Sequence, residues 1–256
     1  MEIFDIMKAR HSVRQFVDKP LDKDAVDELN REIEICNKES GLNIQLITNE
    51  SEAFQAGKTS YGQFKCCKNY LAIVGPGRKD VEAGYYGERI VLKAQQLGIN
   101  SCWVALTYKR SKAQDMVNKG EKRYLVVALG YGEKNGTNHK SKAIKDISDY
   151  KSGDPDWYKI GLEAALLAPT AMNQQKFRFR REGEKVQSQI LCKHQNRCKI
   201  KIKIYSGGSG FVRWNGILKV QSTNAQKSDK IKTNPERKKS NEVQQGIQGG
   251  SLKAIR

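Results

Sequence analysis

Three short apolar runs constrain this chain most: YLAIV at 70–74, SCWVAL at 101–106 and YLVVALG at 124–130. Such runs are too brief for buried helices and carry β-branched and aromatic residues, so they read as strands of a buried sheet. Gly75-Pro76-Gly77 ends the first of them abruptly. NIQLIT at 43–48 alternates like a further strand.

Helical patterns lie between the strands. Ile3, Phe4, Ile6 and Met7 fall at helical spacing over residues 2–9. From Asp22, a residue suited to an N-cap, Val26, Leu29 and Ile33 recur on one face of a second helix, which Gly41 would stop. In VEAGYYGERIVLKAQQLG, positions Ala83, Tyr86, Ile90, Ala94 and Leu97 form an apolar stripe, and Gly98 suits a left-handed helix end. Residues 132–153 are polar and Lys-rich and read as a surface connection. Asp154-Pro155 then opens a helix expected to turn Ile160, Ala164 and Leu167 one way and to halt at Ala168-Pro169. The order predicts an α/β fold of the α+β kind, a mixed sheet flanked by helices.

Charge divides the 256 residues unevenly. The net +18 is concentrated at the end, where residues 186–256 carry eleven Lys and four Arg against Asp229, Glu236 and Glu242. The basic pI therefore describes the tail more than the body, which weakens the nucleic-acid reading that such a pI invites. No apolar run approaches the roughly 20 residues of a membrane span. Met1 is followed by an acidic residue, with neither a cationic start nor an apolar leader, and the six cysteines lack zinc spacing. The expectation is a cytoplasmic protein with reduced thiols. Cys192, His194 and Cys198 lack the second cysteine pair of a zinc site, Cys66-Cys67 reads as core thiol, and Trp103 and Trp157 read as packing residues.

Three segments have the composition of a binding site. RHSVRQF at 10–16 sets Arg10 and Arg14 around His11 and Ser12 at the end of the first helix. Paired guanidiniums and a hydroxyl suit phosphate oxygens, although a solvated basic helix end complementing its own dipole is the commoner meaning of such a cluster. APTAMNQQKFRF at 168–179 follows a proline stop with a hydroxyl and three amides, able to face a planar heterocycle or to form an ordinary polar loop. Gly84 and Gly87 open either a close approach to a ligand or close packing on the sheet, the second being the simpler reading.

In their order, RHSVRQF, GERIVLKAQQLGINSCWVA, VVALGYGEK and LLAPTAMNQQKFRF resemble the nitroreductase family of FMN enzymes, in the thermophile-type branch where the last motif follows the others. The likeness spans about residues 1–180. It implies that Arg10, Ser12 and Arg14 contact the FMN phosphate and ribityl chain, with His11 in a slot usually held by Arg or Ser. It also implies that Pro169, Thr170, Ala171 and Asn173 lie along the isoalloxazine ring. A partner subunit supplies that segment in most of the family, so this chain is expected either to build both halves itself or to pair as a homodimer. The implied activity is hydride transfer from NAD(P)H through FMN to a nitro compound or similar acceptor, with ping-pong kinetics and no catalytic side chain, because the chemistry belongs to the flavin. A flavin-binding protein with little turnover and a nucleic-acid binder acting through the basic tail are the alternatives.

Two departures stand out. Lys176-Phe177 replaces the family's usual Pro-Trp, and beyond Lys185 the expected closing elements are not recognisable. The boundaries expected are therefore a flavin-binding domain at 1–185 and an atypical basic tail at 186–256, frameshifted or disordered. Within it, CKIKIKIY at 198–205 alternates like a strand, Trp214-Asn215-Gly216 suggests a hairpin, and residues from 221 on have the composition of disorder.

Overall fold

The computed structural model describes residues 2–55, 62–190 and 202–205. The first sheet takes β1 (Asn43–Ile47), β2 (Asn69–Pro76), β3 (Asn100–Val104) and β4 (Glu121–Gly130) in the order β1-β2-β4-β3, with every neighbouring pair antiparallel. Among the described residues, parallel pairing is confined to two isolated bridges, Ser12 with Ser101 and Gln15 with Lys65, so the mixed character of the sheet comes from the segment after the first helix.

The apolar runs are continuous because both faces of this sheet are covered. On one face Leu71, Ile73, Leu125, Val127 and Trp103 pack against α2 (Lys23–Ser40) and α3 (Asp80–Gln96). On the other, Tyr70, Ala72, Cys102, Val126 and Ala128 meet Val13, Phe16, Phe54, Phe64 and Tyr108, all from outside the helices. The flanking expected from helices is thus supplied on this second face by connecting segments rich in aromatic rings.

A second, antiparallel sheet joins β5 (Phe177–Glu182), β6 (Lys185–Ile190) and β7 (Ile202–Tyr205) in sequence. Phe177, Phe179 and Val186 pack there against Ile147 of α4 (Ile144–Ile147) and Tyr158, Leu162 and Ala165 of α5 (Asp156–Leu167). Strand pairing runs past residue 185, and part of the alternation at 198–205 is realised as β7. The hairpin expected at 214–216, the disorder expected from 221 and the Cys192, His194 and Cys198 trio lie outside the described residues.

α1 (Ile3–Ala9) ties the halves together, with Ile6 and Met7 buried against Leu92 of α3 and Ala164 of α5. That double contact corrects the stripe expected on α5. Ile160 is exposed, Ala164 and Leu167 face α1, and the residues turned to the second sheet are Tyr158, Leu162 and Ala165. A helix gripped from two sides does not keep a single apolar stripe. Asp22 is the N-cap of α2, yet its side chain accepts from Tyr131 Oη at 2.8 Å and does not cap the helix.

Candidate functional site

Arg10 ends α1 with its N–H on Ile6 O at 3.0 Å, and the chain leaves in extended form. Val13 N–H donates to Ser101 O at 3.0 Å, Lys65 N–H to Arg14 O at 3.0 Å, Phe16 N–H to Lys65 O at 3.1 Å and Val17 N–H to Tyr131 O at 2.9 Å. Residues 12–17 are thereby stitched to three segments of the main sheet's surroundings. Along it Val13 and Phe16 enter the core while Ser12, Arg14 and Gln15 remain exposed, a pattern set by the separate backbone anchors at Ser101 and Lys65 and not by a strict period of two.

The exposed side of this strand forms one wall of a cleft of about 240 Å³. Arg10, His11, Ser12 and Arg14 line it on one side, and Pro169, Thr170 and Asn173, immediately after α5, line it on the other. Seven of the eight residues singled out from the sequence meet there; Ala171 is not among the lining residues. Thr137, His139 and Met172 complete the lining and were not anticipated. Thr137 and His139 come from the connection read as mere surface. It turns inward because Gly136, at φ +77°, sits where a Cβ would come within 2.8 Å of His11 Cβ, an approach that only glycine permits. The His139 ring donates through Nε2 to Leu166 O at 2.8 Å, anchoring the connection to α5.

The second wall is held by its own amides. Gln175, 1% exposed, accepts from Lys142 N–H at 2.9 Å and donates to Lys140 O and to Asn173 Oδ1, each at 2.7 Å. Asn173 donates in turn to Lys140 O at 2.9 Å, and Thr170 Oγ1 accepts from Gln175 N–H at 3.0 Å. Asn173 therefore spends its amide group on the loop even as it lines the cleft. Met172, Asn173 and Gln175 all adopt left-handed φ values of 53°, 52° and 45°, a cluster of backbone strain typical of ligand-binding loops. Gln175→Ala leaves Lys142 N–H without its buried partner, and the expected loss of stability is about 1–3 kcal/mol, with faster amide exchange over 138–143. Thermal denaturation and hydrogen exchange check this, and unchanged exchange there would dismiss the loop tie.

No acidic residue lines the cleft among the described residues. Arg10 is 3% exposed, and its Nε and Nη1 have no hydrogen-bond partner. The His11 imidazole is held below its ordinary 6.5 by burial first, then by the charges of Arg10 and His139. A depressed histidine favours folding most when neutral, so its contribution is complete above 6.5 and falls away as the pH drops through 6.5 and then through the lowered value. Melting temperatures measured between about pH 8 and pH 5 should decline less in His11→Gln than in the parent chain. Parallel declines would remove His11 from the cause.

Two other candidates resolve simply. A Cβ on Gly87 would stand 2.7 Å from Trp103 Cη2, so that glycine makes room for the indole. Burial pushes the Cys36 thiol up to about 12 and raises Cys67 further, while Cys66 is exposed, so the adjacent pair divides between core and surface.

A family model described as "Putative TM nitroreductase" matches residues 2–204. The chain belongs to this nitroreductase family. A "putative nitroreductase" from Thermotoga maritima has the same fold, with 20% identity over 90% of this chain and 86% of its own and a TM-score of 0.52. Another so described, from Exiguobacterium sibiricum and in complex with FMN, has 12% identity over 59% of this chain and 98% of its own at a TM-score of 0.48. Comparison with curated proteins gives no match. The nitroreductase match, like the second sheet, continues beyond residue 185.

Proposed function

We propose that this nitroreductase-family chain is an FMN-dependent oxidoreductase that passes hydride equivalents from NAD(P)H to a small acceptor. One observation carries the reading. Two motifs far apart in the chain close on a single cleft free of acidic lining among the described residues, in which a buried arginine keeps donors without hydrogen-bond partners.

The residues present suit the cofactor. Arg10, His11, Ser12 and Arg14 would hold the phosphate, whose second ionisation near pH 6 leaves it largely dianionic at neutrality. Pro169, Thr170 and Asn173 would border the flavin end, beside a rim made by Met172, which is 68% exposed. FMN would supply the hydride-accepting and hydride-donating chemistry, and the protein's share is binding, orientation and electrostatic tuning. At about 240 Å³ the cleft is smaller than the roughly 300–1,000 Å³ of enclosed ligand sites, which favours phosphate and ribityl inside and the ring towards the open rim. Both walls come from one chain, which supports a site built without a partner subunit.

An absorption spectrum of the purified full chain tests the reading. Bound flavin bands that bleach on anaerobic addition of NADH or NADPH support it, with parallel-line kinetics against a nitro acceptor expected for the ping-pong scheme. Flavin bands that do not bleach point to a carrier with little turnover, and the absence of FMN binding sinks both readings. We also propose that the out-of-frame or tail-like sequence begins after the family match, near residue 205, and sequencing of the locus decides this.

A further inference from the structure

Behind the cleft wall the Arg10 guanidinium meets an opposite charge. Glu88 on α3 is fully buried, its Oε1 stands 3.5 Å from Arg10 Nε, and its Oε2 accepts from Trp103 Nε1 at 2.9 Å. Helix packing does not call for a carboxylate at that depth: Gly84, Gly87, Val91 and Leu92, buried on the same helix, are small or apolar. A buried carboxylate is costly unless paired, so its presence beside a cleft-lining arginine needs a reason. The contact lacks hydrogen-bond geometry, and Arg10 Nε and Nη1 remain without hydrogen-bond partners. Glu88 thus balances the arginine's charge without consuming its donors.

We propose that Glu88 is a positioning residue that keeps Arg10 buried at the cleft wall and, by neutralising it, sets how tightly the cleft holds a phosphate group. The assignment depends on the flavin reading only for the identity of the natural ligand. Seen from the cleft, a close Arg10–Glu88 pair is nearly neutral, so an entering phosphate meets a weaker field than the arginine alone would create. The Trp103 N–H stabilises the carboxylate and restrains its pull on Arg10. Removing the charge of Glu88 and removing the Trp103 donor should therefore act in opposite directions.

The test uses the full chain, with inorganic phosphate, FMN and riboflavin as probes and histidine ring signals or flavin fluorescence as readouts. Glu88→Gln keeps the size and the acceptor for Trp103 while deleting the charge. Phosphate and FMN are expected to bind several-fold tighter, with a steeper salt dependence, riboflavin unchanged and the ligand-free chain less stable. Trp103→Phe is expected to weaken phosphate binding. A merely structural role would weaken binding in both variants. Phosphate affinity unchanged or reduced in Glu88→Gln overturns the proposal. If that variant does not fold, unchanged or tighter phosphate binding by Trp103→Phe overturns it instead. A wild-type chain that binds phosphate but not FMN removes the flavin reading and leaves the Glu88 assignment to be judged by phosphate alone. A chain that binds no phosphate overturns the assignment.

Discussion

Arg10→Ala is expected to lower folding stability by about 3–5 kcal/mol, more than a residue acting only as a ligand contact would. The cause is the carboxylate left behind. Glu88 has no exposed side-chain surface, and without Arg10 it must either keep an uncompensated charge in the interior or take up a proton. The second route makes the loss smaller at low pH, where protonation of Glu88 relieves the penalty. FMN affinity should fall as well, by about 1.5–3 kcal/mol for one charge-assisted phosphate bond, while riboflavin affinity changes little. Urea denaturation at two pH values and flavin titration measure the two losses separately. A stable variant with unchanged FMN affinity would return Arg10 to the commonplace reading of a basic helix end.

Phe16→Ala is the second large effect, about 3–5 kcal/mol of stability. The ring is 1% exposed, belongs to the cluster on the helix-free face of the sheet, and lies so close to β4 that a Cβ on Gly130 would be 2.8 Å from its Cδ1. Phe16 holds down the same extended segment that presents Ser12 and Arg14 to the cleft. Its removal should therefore weaken FMN binding without touching the ligand, and excess FMN should recover part of the lost melting temperature by mass action. A cost below about 1 kcal/mol would mean that the backbone bonds alone fasten residues 12–17.

Much of this molecule can be read from residue patterns, and the parts that cannot share a cause. The helices expected at 2–9, 22–41 and 81–98 and the strands of the main sheet appear where periodicity places them, with Gly41 and Gly98 left-handed at the helix ends. A stripe every 3.6 residues or a solid apolar run reports burial directly. The stripe on α5 misleads because two neighbours bury two sides of it, and only their placement shows this. The second wall is a similar case. Asn173 and Gln175 have the right chemistry for a ligand, but in the folded chain their amides are committed to Lys140 and Lys142.

The sequence by itself determined the main-sheet strands and the longer helices, the family, and the two segments that form the cleft, because each depends on local spacing or on motifs contiguous in the chain; α4 and the β5–β6 pairing, short and without a clean period, emerged only in the fold. Tertiary structure alone decided what Arg10 does. A guanidinium in a string of letters is equally a solvated charge or a buried one. The path of α3 past the end of α1 placed Glu88 beside it and turned a basic cluster at a helix end into a balanced charge at the wall of a cleft. Thr137 and His139 entered the cleft for the same reason: pairing through space is set by the whole chain path, and no local period encodes it.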